Sequence, residues 1–341
     1  MKTLVTSHPD YTRLYLVYWA VRKIINKGEL GLVGGCVRDT LLGVKPKDYD
    51  FNTNLTPDEI EELAKAAGRH VYTIGKKYGT IGFKVLVEDM PTMISAEVIF
   101  PAQEEMLYEK ASEWVYVEVT TYRDEKYDAN SRKPVVTFGT DLRQDLLRRD
   151  FTINAMWYGS LTPDNEPELK DLMAGRLDLL DKRIKSCRDA KKMIEDDPLR
   201  ILRAVRFATK YEFTIEPNLY GSCAKSKPKL WKVVVERITE EYDKILCCNH
   251  AEIGIRLLND MGITEMLFPE LTPTPFRLIR SREPDKAWMY YLSYIGGHTR
   301  ESDGAWIFDK PRHDYLCRGI AARMKFSNKR LETIIKERKW Q

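Results

Sequence analysis

The chain has 341 residues, 43% of them apolar and 31% charged, which is the composition of a folded globular protein and excludes a disordered one. No apolar run is long enough to span a bilayer, and residues 1–10 lack the basic-then-apolar order of a secretory signal. A cytoplasmic protein with no membrane partner is therefore expected. The net charge of +4 is unevenly divided: residues 271–341 hold 15 Lys and Arg against 8 Asp and Glu (+7), and the rest hold 40 against 43 (−3). A basic C-terminal quarter suits a polyanionic partner, although a solvated charged surface has the same composition.

Residues 11–27 place Leu14, Val17, Tyr18, Val21, Ile24 and Ile25 on one helical stripe that ends at Gly28. A short strand, 30–33, runs into Gly34-Gly35, and a helix is expected over 36–42. Tyr49 and Phe51 alternate with Asp48 and Asp50 as in a strand, and 57–67 returns to helix with Pro57 at its first position after Thr56. Strands are predicted over 80–87, 95–99 and 114–120. The polar stretch 121–146 reads as a mobile loop around a short strand, 135–138, and from residue 185 nearly everything reads as helix. The six cysteines show no paired CxxC spacing and the five histidines complete no zinc set, so reduced structural thiols are expected.

Chemistry concentrates at residues 31–51. A strand, two glycines and a helix start let backbone N–H groups approach a phosphate closely, which points to Gly34 and Gly35, with Arg38 one turn in. Asp48 and Asp50 stand two apart, so both carboxylates leave one face while Tyr49 and Phe51 enter the core. Two such carboxylates repel unless a cation lies between them, and hard oxygen ligands suit Mg²⁺; a DxD in a plain turn is the bland alternative. A third carboxylate is expected from a neighbouring strand. Glu118, between Val117 and Val119, is preferred over Glu97.

The segments GGCVRDTLLG and DYDFNT (34–43, 48–53), DLLRRDFTINAM (145–156), DLMAGRLDL (171–179), DDPLRILRAVRFA (196–208) and ERITEEYDKIL (236–246) resemble, in order, five motifs of class II CCA-adding tRNA nucleotidyltransferases and bacterial poly(A) polymerases. The resemblance implies an α+β fold: a polymerase-β-like nucleotidyltransferase head, a mixed sheet with helices, over 1–155. An all-helical remainder would follow, with neck and base recognition over 156–246 and a tRNA-binding body and tail over 247–341. It implies Asp48, Asp50 and Glu118 as catalytic residues, with Asp48 and Asp50 holding Mg²⁺, and Gly34, Gly35 and Arg38 as the triphosphate cradle. Arg149, Asp150 and Asn154 would contact the incoming nucleotide; a surface ion-pair cluster of Arg148, Arg149 and Asp150 is the alternative.

Asp197 and Pro198 form a good cap and first-position pair for a helix with an apolar stripe (Ile201, Leu202, Val205) and arginines at 200, 203 and 206. Read alone, this is a capped helix with a wet basic side. The resemblance makes Asp197, Arg200 and Arg203 readers of the C or A base, supported by Asp196 and Arg206; Asp196 stands where the family commonly has Glu. The implied reaction adds C, C and A to the 3′ end of tRNA from CTP and ATP. Poly(A) polymerase, or CC-only or A-only addition, is the alternative on the same motifs.

Overall fold

The computed structural model describes residues 11–88, 112–126, 135–139, 141–269, 281–296, 298–300, 306–308 and 310–336. Glu97 with its predicted strand, and the middle of the polar loop at 127–134, lie outside the described residues. The chain divides into two compact units, Met1–Leu180 and Asp181–Gln341.

The first unit begins with α1 (Thr12–Arg22), β1 (Leu30–Val33), α2 (Gly35–Leu41), β2 (Tyr49–Thr53) and α3 (Pro57–Ala66). It continues through β3 (Val71–Tyr72), β4 (Thr80–Glu88), β5 (Ser112–Thr121), β6 (Arg123–Lys126), β7 (Val135–Phe138), α4 (Leu142–Leu147), β8 (Trp157–Ser160), β9 (Glu168–Lys170) and α5 (Gly175–Leu180). Seven strands form one mixed sheet in the order β3-β4-β5-β2-β1-β8-β9. Among the described residues only β2 and β5 pair in parallel within it; β6 and β7 form a separate antiparallel pair.

The period-2 pattern of β5 buries Val115, Val117 and Val119 and leaves Trp114, Tyr116 and Glu118 exposed. The same rule buries Tyr49 and Phe51 on β2 and leaves Asp50 outside. At the start of α3, Thr56 Oγ1 accepts from Glu59 N and Glu59 Oε2 accepts from Thr56 N, with Pro57 next, so the predicted entry carries a full capping box.

Three sequence expectations change here. Helix α1 stops at Arg22 rather than near residue 27, because the buried Arg22 guanidinium donates to the carbonyls of Ile25, Lys27, Gly28 and Ser160, at 3.0–3.3 Å, and so supports an irregular exit. The sheet does not end at residue 155: β8 and β9 extend it, and the first unit runs to Leu180. The region after 185 is not wholly helical, as strand pairs also form in the second unit.

That unit contains β10 (Arg183–Ile184), α6 (Ala190–Asp196), α7 (Arg200–Tyr211), β11 (Thr214–Ile215), α8 (Pro217–Ser226), α9 (Val235–Leu246), α10 (Ala251–Asp260) and α11 (Ile263–Leu267). After these come α12 (Pro284–Gly296), β12 (His298–Arg300), β13 (Trp306–Phe308), α13 (Lys310–Arg323) and α14 (Asn328–Lys336). Tyr242, Phe268 and Trp288 pack their rings at 5.5–6.0 Å centroid separations and anchor this core. Among the described residues no helix is long and apolar enough to cross a membrane.

Candidate active site

In the first unit, the glycine turn, the carboxylates and the second motif converge. Gly34 adopts φ +81°, which a side chain would strain, and a Cβ there would stand 3.4 Å from Arg149 Nη1. The turn therefore opens directly onto a guanidinium. It is Nη1 that stands at the turn, where a guanidinium donor can meet an anion; among the described residues Arg149 Nε is buried and finds no acceptor.

Arg149 is held by a carboxylate that the sequence reading passed over. Asp145, fully buried, takes Arg148 Nε and Nη2 at 2.9 and 2.7 Å and Arg149 Nη2 at 3.3 Å. Asn52 Nδ2 donates to it at 2.8 Å, and Asn52 Oδ1 accepts from Trp157 Nε1 at 2.7 Å. Burial by itself raises the Asp145 carboxyl, but the two arginines and these hydrogen bonds outweigh it and hold the group below the usual carboxylate range. The available signal was an acid at the buried 145 position between Leu142 and Leu146, three and four residues before two arginines.

Arg38, Asp150 and Asn154 lie behind the turn. Arg38 pairs with Asp39 at 2.8 Å and donates through Nη1 to Asn154 Oδ1. Asn154 Nδ2 donates to Asp150 Oδ1 at 3.0 Å, and Phe151 N donates to the same oxygen at 2.8 Å. All three are nearly buried. The surface ion-pair alternative is thereby corrected: Arg148 and Arg149 pair inward with Asp145, and Asp150 caps its own chain. The third motif supports the same turn, since Asp178 Oδ2 accepts from Thr152 Oγ1 at 2.7 Å. Asp171 accepts from the amides of Gly175 and Arg176 at 2.7 and 2.9 Å.

Asp50 on β2 pairs in register with Glu118 on β5, so both side chains leave the same face, and Asp48 precedes the strand by one residue. All three side chains are exposed. Asp50 is raised above its ordinary value, first by partial loss of hydration and then by the charges of Glu118 and Asp48, while Arg149 opposes the shift. Mutual repulsion of this kind fits an all-oxygen cation ledge. Among the described residues no three acidic, His or Cys side chains enclose an ion by themselves. An open ledge of one or two carboxylates is how Mg²⁺ is held when water and substrate phosphates complete its shell. Neighbouring Cys36 is buried, its thiol pushed up to about 12, and is no nucleophile.

The second unit carries the fourth motif. Helix α7 starts at Arg200, later than the predicted entry at Pro198, although Asp197 Oδ1 still accepts from Leu199 N at 3.2 Å. Asp197 also pairs with Arg237 of the fifth motif at 2.8 Å, and Asp196 pairs with Arg188. Arg200 is not on a wet face: it is buried and donates to the Met193 carbonyl at 3.1 Å. Arg203 and Arg206 stand over the Phe207 ring at 5.5 and 4.5 Å, and Arg206 pairs with Glu241 at 3.0 Å.

Residues 30–185 match the poly A polymerase head domain, and residues 212–274 match a second domain described as "Probable RNA and SrmB- binding site of polymerase A". The chain is 31% identical to a CCA-adding enzyme of Lactococcus lactis over 323 residues, which cover 94% of this chain and 66% of that protein. Among solved structures it resembles the Bacillus stearothermophilus CCA-adding enzyme in complex with CTP (TM-score 0.60, 21% identity, 95% of this chain and 68% of that one). It also resembles a tRNA nucleotidyltransferase complexed with a primer tRNA and an incoming ATP analog (TM-score 0.62, 21% identity, 92% of this chain and 81% of that one). The chain spans about half to two thirds of the length of the curated relatives it matches.

Proposed function

We propose that this chain, which belongs to the nucleotidyltransferase family of the poly A polymerase head domain, adds C, C and A to the 3′ end of tRNA from CTP and ATP. The observation that supports the reading is Asp50 in register with Glu118, with Asp48 one residue before the strand, beside a glycine turn that faces Arg149 Nη1. The names and ligands of the related proteins supply the product and the two nucleotides.

In this reading Gly34 and Gly35 let the triphosphate approach the backbone, and Arg149 donates to it. Arg38, Asp150 and Asn154 fix the turn from behind, where they also set the position of the nucleotide sugar. Asp48 and Asp50 hold Mg²⁺, and Glu118 completes the acidic edge. Bound there, the metal supplies positive charge that favours the ionised 3′-hydroxyl and neutralises the departing pyrophosphate. The 3′-hydroxyl loses its proton to water or to a carboxylate of the acidic edge, its oxygen forms the bond to the α-phosphorus as the bond to the α–β bridging oxygen breaks, and pyrophosphate leaves. Asp197 accepts from the exocyclic amino group that cytosine and adenine share, with Arg200 and Arg203 completing base selection and Asp196 and Arg206 supporting them. Residues 181–246 then serve base recognition and 247–341 tRNA binding, in a cytoplasmic enzyme.

Incubating the chain with tRNA lacking its 3′ end, with each NTP alone and with CTP plus ATP, tests the reading. CTP alone should add two residues, and CTP with ATP should add three and stop. Unlimited A addition would replace the reading by poly(A) synthesis, and arrest after CC or A alone by partial addition.

A further inference from the structure

Three zones follow one another across the open face of the first sheet. The glycine turn lies at the end of β1, the carboxylates lie on β2 and β5, and an aromatic stripe continues over β5, β4 and β3. Glu118 pairs with Asp50 on one side and Gly82 on the other, and Gly82 pairs with Tyr72, so these four positions share a row and a face. The Tyr116 side chain leans across Gly82, where a Cβ would stand 2.1 Å from its hydroxyl oxygen. That hydroxyl donates to Glu118 Oε1 at 3.3 Å. The Tyr116 ring meets Tyr72 edge-on at 5.6 Å, and Trp114, two residues along, carries the Arg69 guanidinium 5.5 Å above its ring. Trp114, Tyr116 and Tyr72 are 56%, 43% and 40% exposed, and Lys84, in register with Tyr116, is exposed as well.

We propose that this stripe is the platform on which the single-stranded 3′ end of the RNA being extended is laid. The inference rests on the nucleotidyl transfer argued above. An in-line displacement brings the 3′-hydroxyl in opposite the departing pyrophosphate. Pyrophosphate belongs to the glycine-turn side of the carboxylates, so the RNA end belongs to the other side, where the rings are. Same-face residues on a strand recur about every 6.7 Å, roughly twice the 3.4 Å spacing of stacked bases in a duplex. Rings on β5 therefore suit splayed single-stranded bases, each stacked on a side chain rather than on its neighbour. Stacking on an aromatic face accepts any base, which an end that changes identity with every addition requires. Arg69 and Lys84 supply positive charge for the intervening phosphates.

The test uses the full chain, tRNA lacking its 3′ end, and a short unstructured RNA oligonucleotide as a binding probe. Trp114→Ala and Tyr72→Ala should each raise the KM for RNA, and weaken oligonucleotide binding, by roughly 5- to 100-fold, the range of a lost base–aromatic stack. The KM for CTP should not change, and Trp114→Phe should preserve RNA binding. Wild-type transfer with both alanine variants within twofold on RNA overturns the platform, as does an equal rise in the KM for CTP. Absence of any transfer by the wild type overturns the enzymatic reading instead, and oligonucleotide binding by the same variants still decides the platform.

Discussion

Asp197 and Arg237, 40 positions apart in the sequence, meet with Arg237 Nη2 2.8 Å from Asp197 Oδ2. With Leu199 N on the other oxygen, the carboxylate is aimed from two sides while keeping part of its surface open. In the proposed base recognition, an acceptor held this way would attract the amino group of C or A and repel the carbonyl that uracil presents at the same edge. Asp197→Ala should relax the exclusion of UTP by about ten- to a hundredfold, the worth of one good polar contact. Arg237→Ala should relax it less, by loosening the carboxylate rather than removing it. Single-nucleotide incorporation of CTP, ATP and UTP measures both. UTP still excluded as in the wild type would leave Asp197 as a helix-entry cap.

Asp145 organises two arginines and Asn52 from a fully buried position. Asp145→Ala leaves those cations without their counter-charge and should cost about 3–5 kcal/mol of stability. The pH dependence follows from the direction of its shift. The folded-state value lies below the unfolded value of about 3.9, so the stabilisation is complete above that pH and is lost as pH falls through the folded value. Melting curves between pH 6 and pH 2 should show a steeper acid limb in the wild type than in Asp145→Asn. Parallel limbs would mean that the carboxylate is not held ionised by its partners.

Removal of Asp48 or Asp50 by alanine should abolish nucleotide addition while tRNA binding stays within a few-fold, because phosphate contacts elsewhere carry the affinity. Glu118→Ala should be nearly as severe, since Glu118 shares its row with Asp50. Turnover under Mg²⁺ close to wild type in either aspartate variant removes the proposed chemistry.

In the third motif Asp178 accepts from the buried Thr152 hydroxyl at 2.7 Å, which is a structural contact. Asp178→Ala strands the buried Thr152 hydroxyl and should lower stability by about 1–3 kcal/mol. The kcat of the folded fraction should stay within a few-fold of wild type. A kcat loss as large as that of Asp50→Ala, without a drop in Tm, would place Asp178 in the reaction.

Local rules sufficed for the elements around the site. Alternation told which face of β2 and β5 is buried, the two glycines marked the turn after β1, and Thr56-Pro57 marked the start of α3. Those signals depend on neighbours a few residues apart, so the linear sequence contains them whole. The sequence offered Glu118, ahead of Glu97, as a third acid from a neighbouring strand, but its register with Asp50 crosses 68 positions and came only with the fold. Tertiary structure alone decided that Asp145 gathers Arg148, Arg149 and Asn52, that Arg200 is buried against Met193, and that Asp197 meets Arg237. In each case a charge was visible in the sequence and its partner was not. The partner depends on which backbone folds alongside, and a buried charge is tolerated only where that fold brings a counter-charge or a carbonyl within hydrogen-bonding reach.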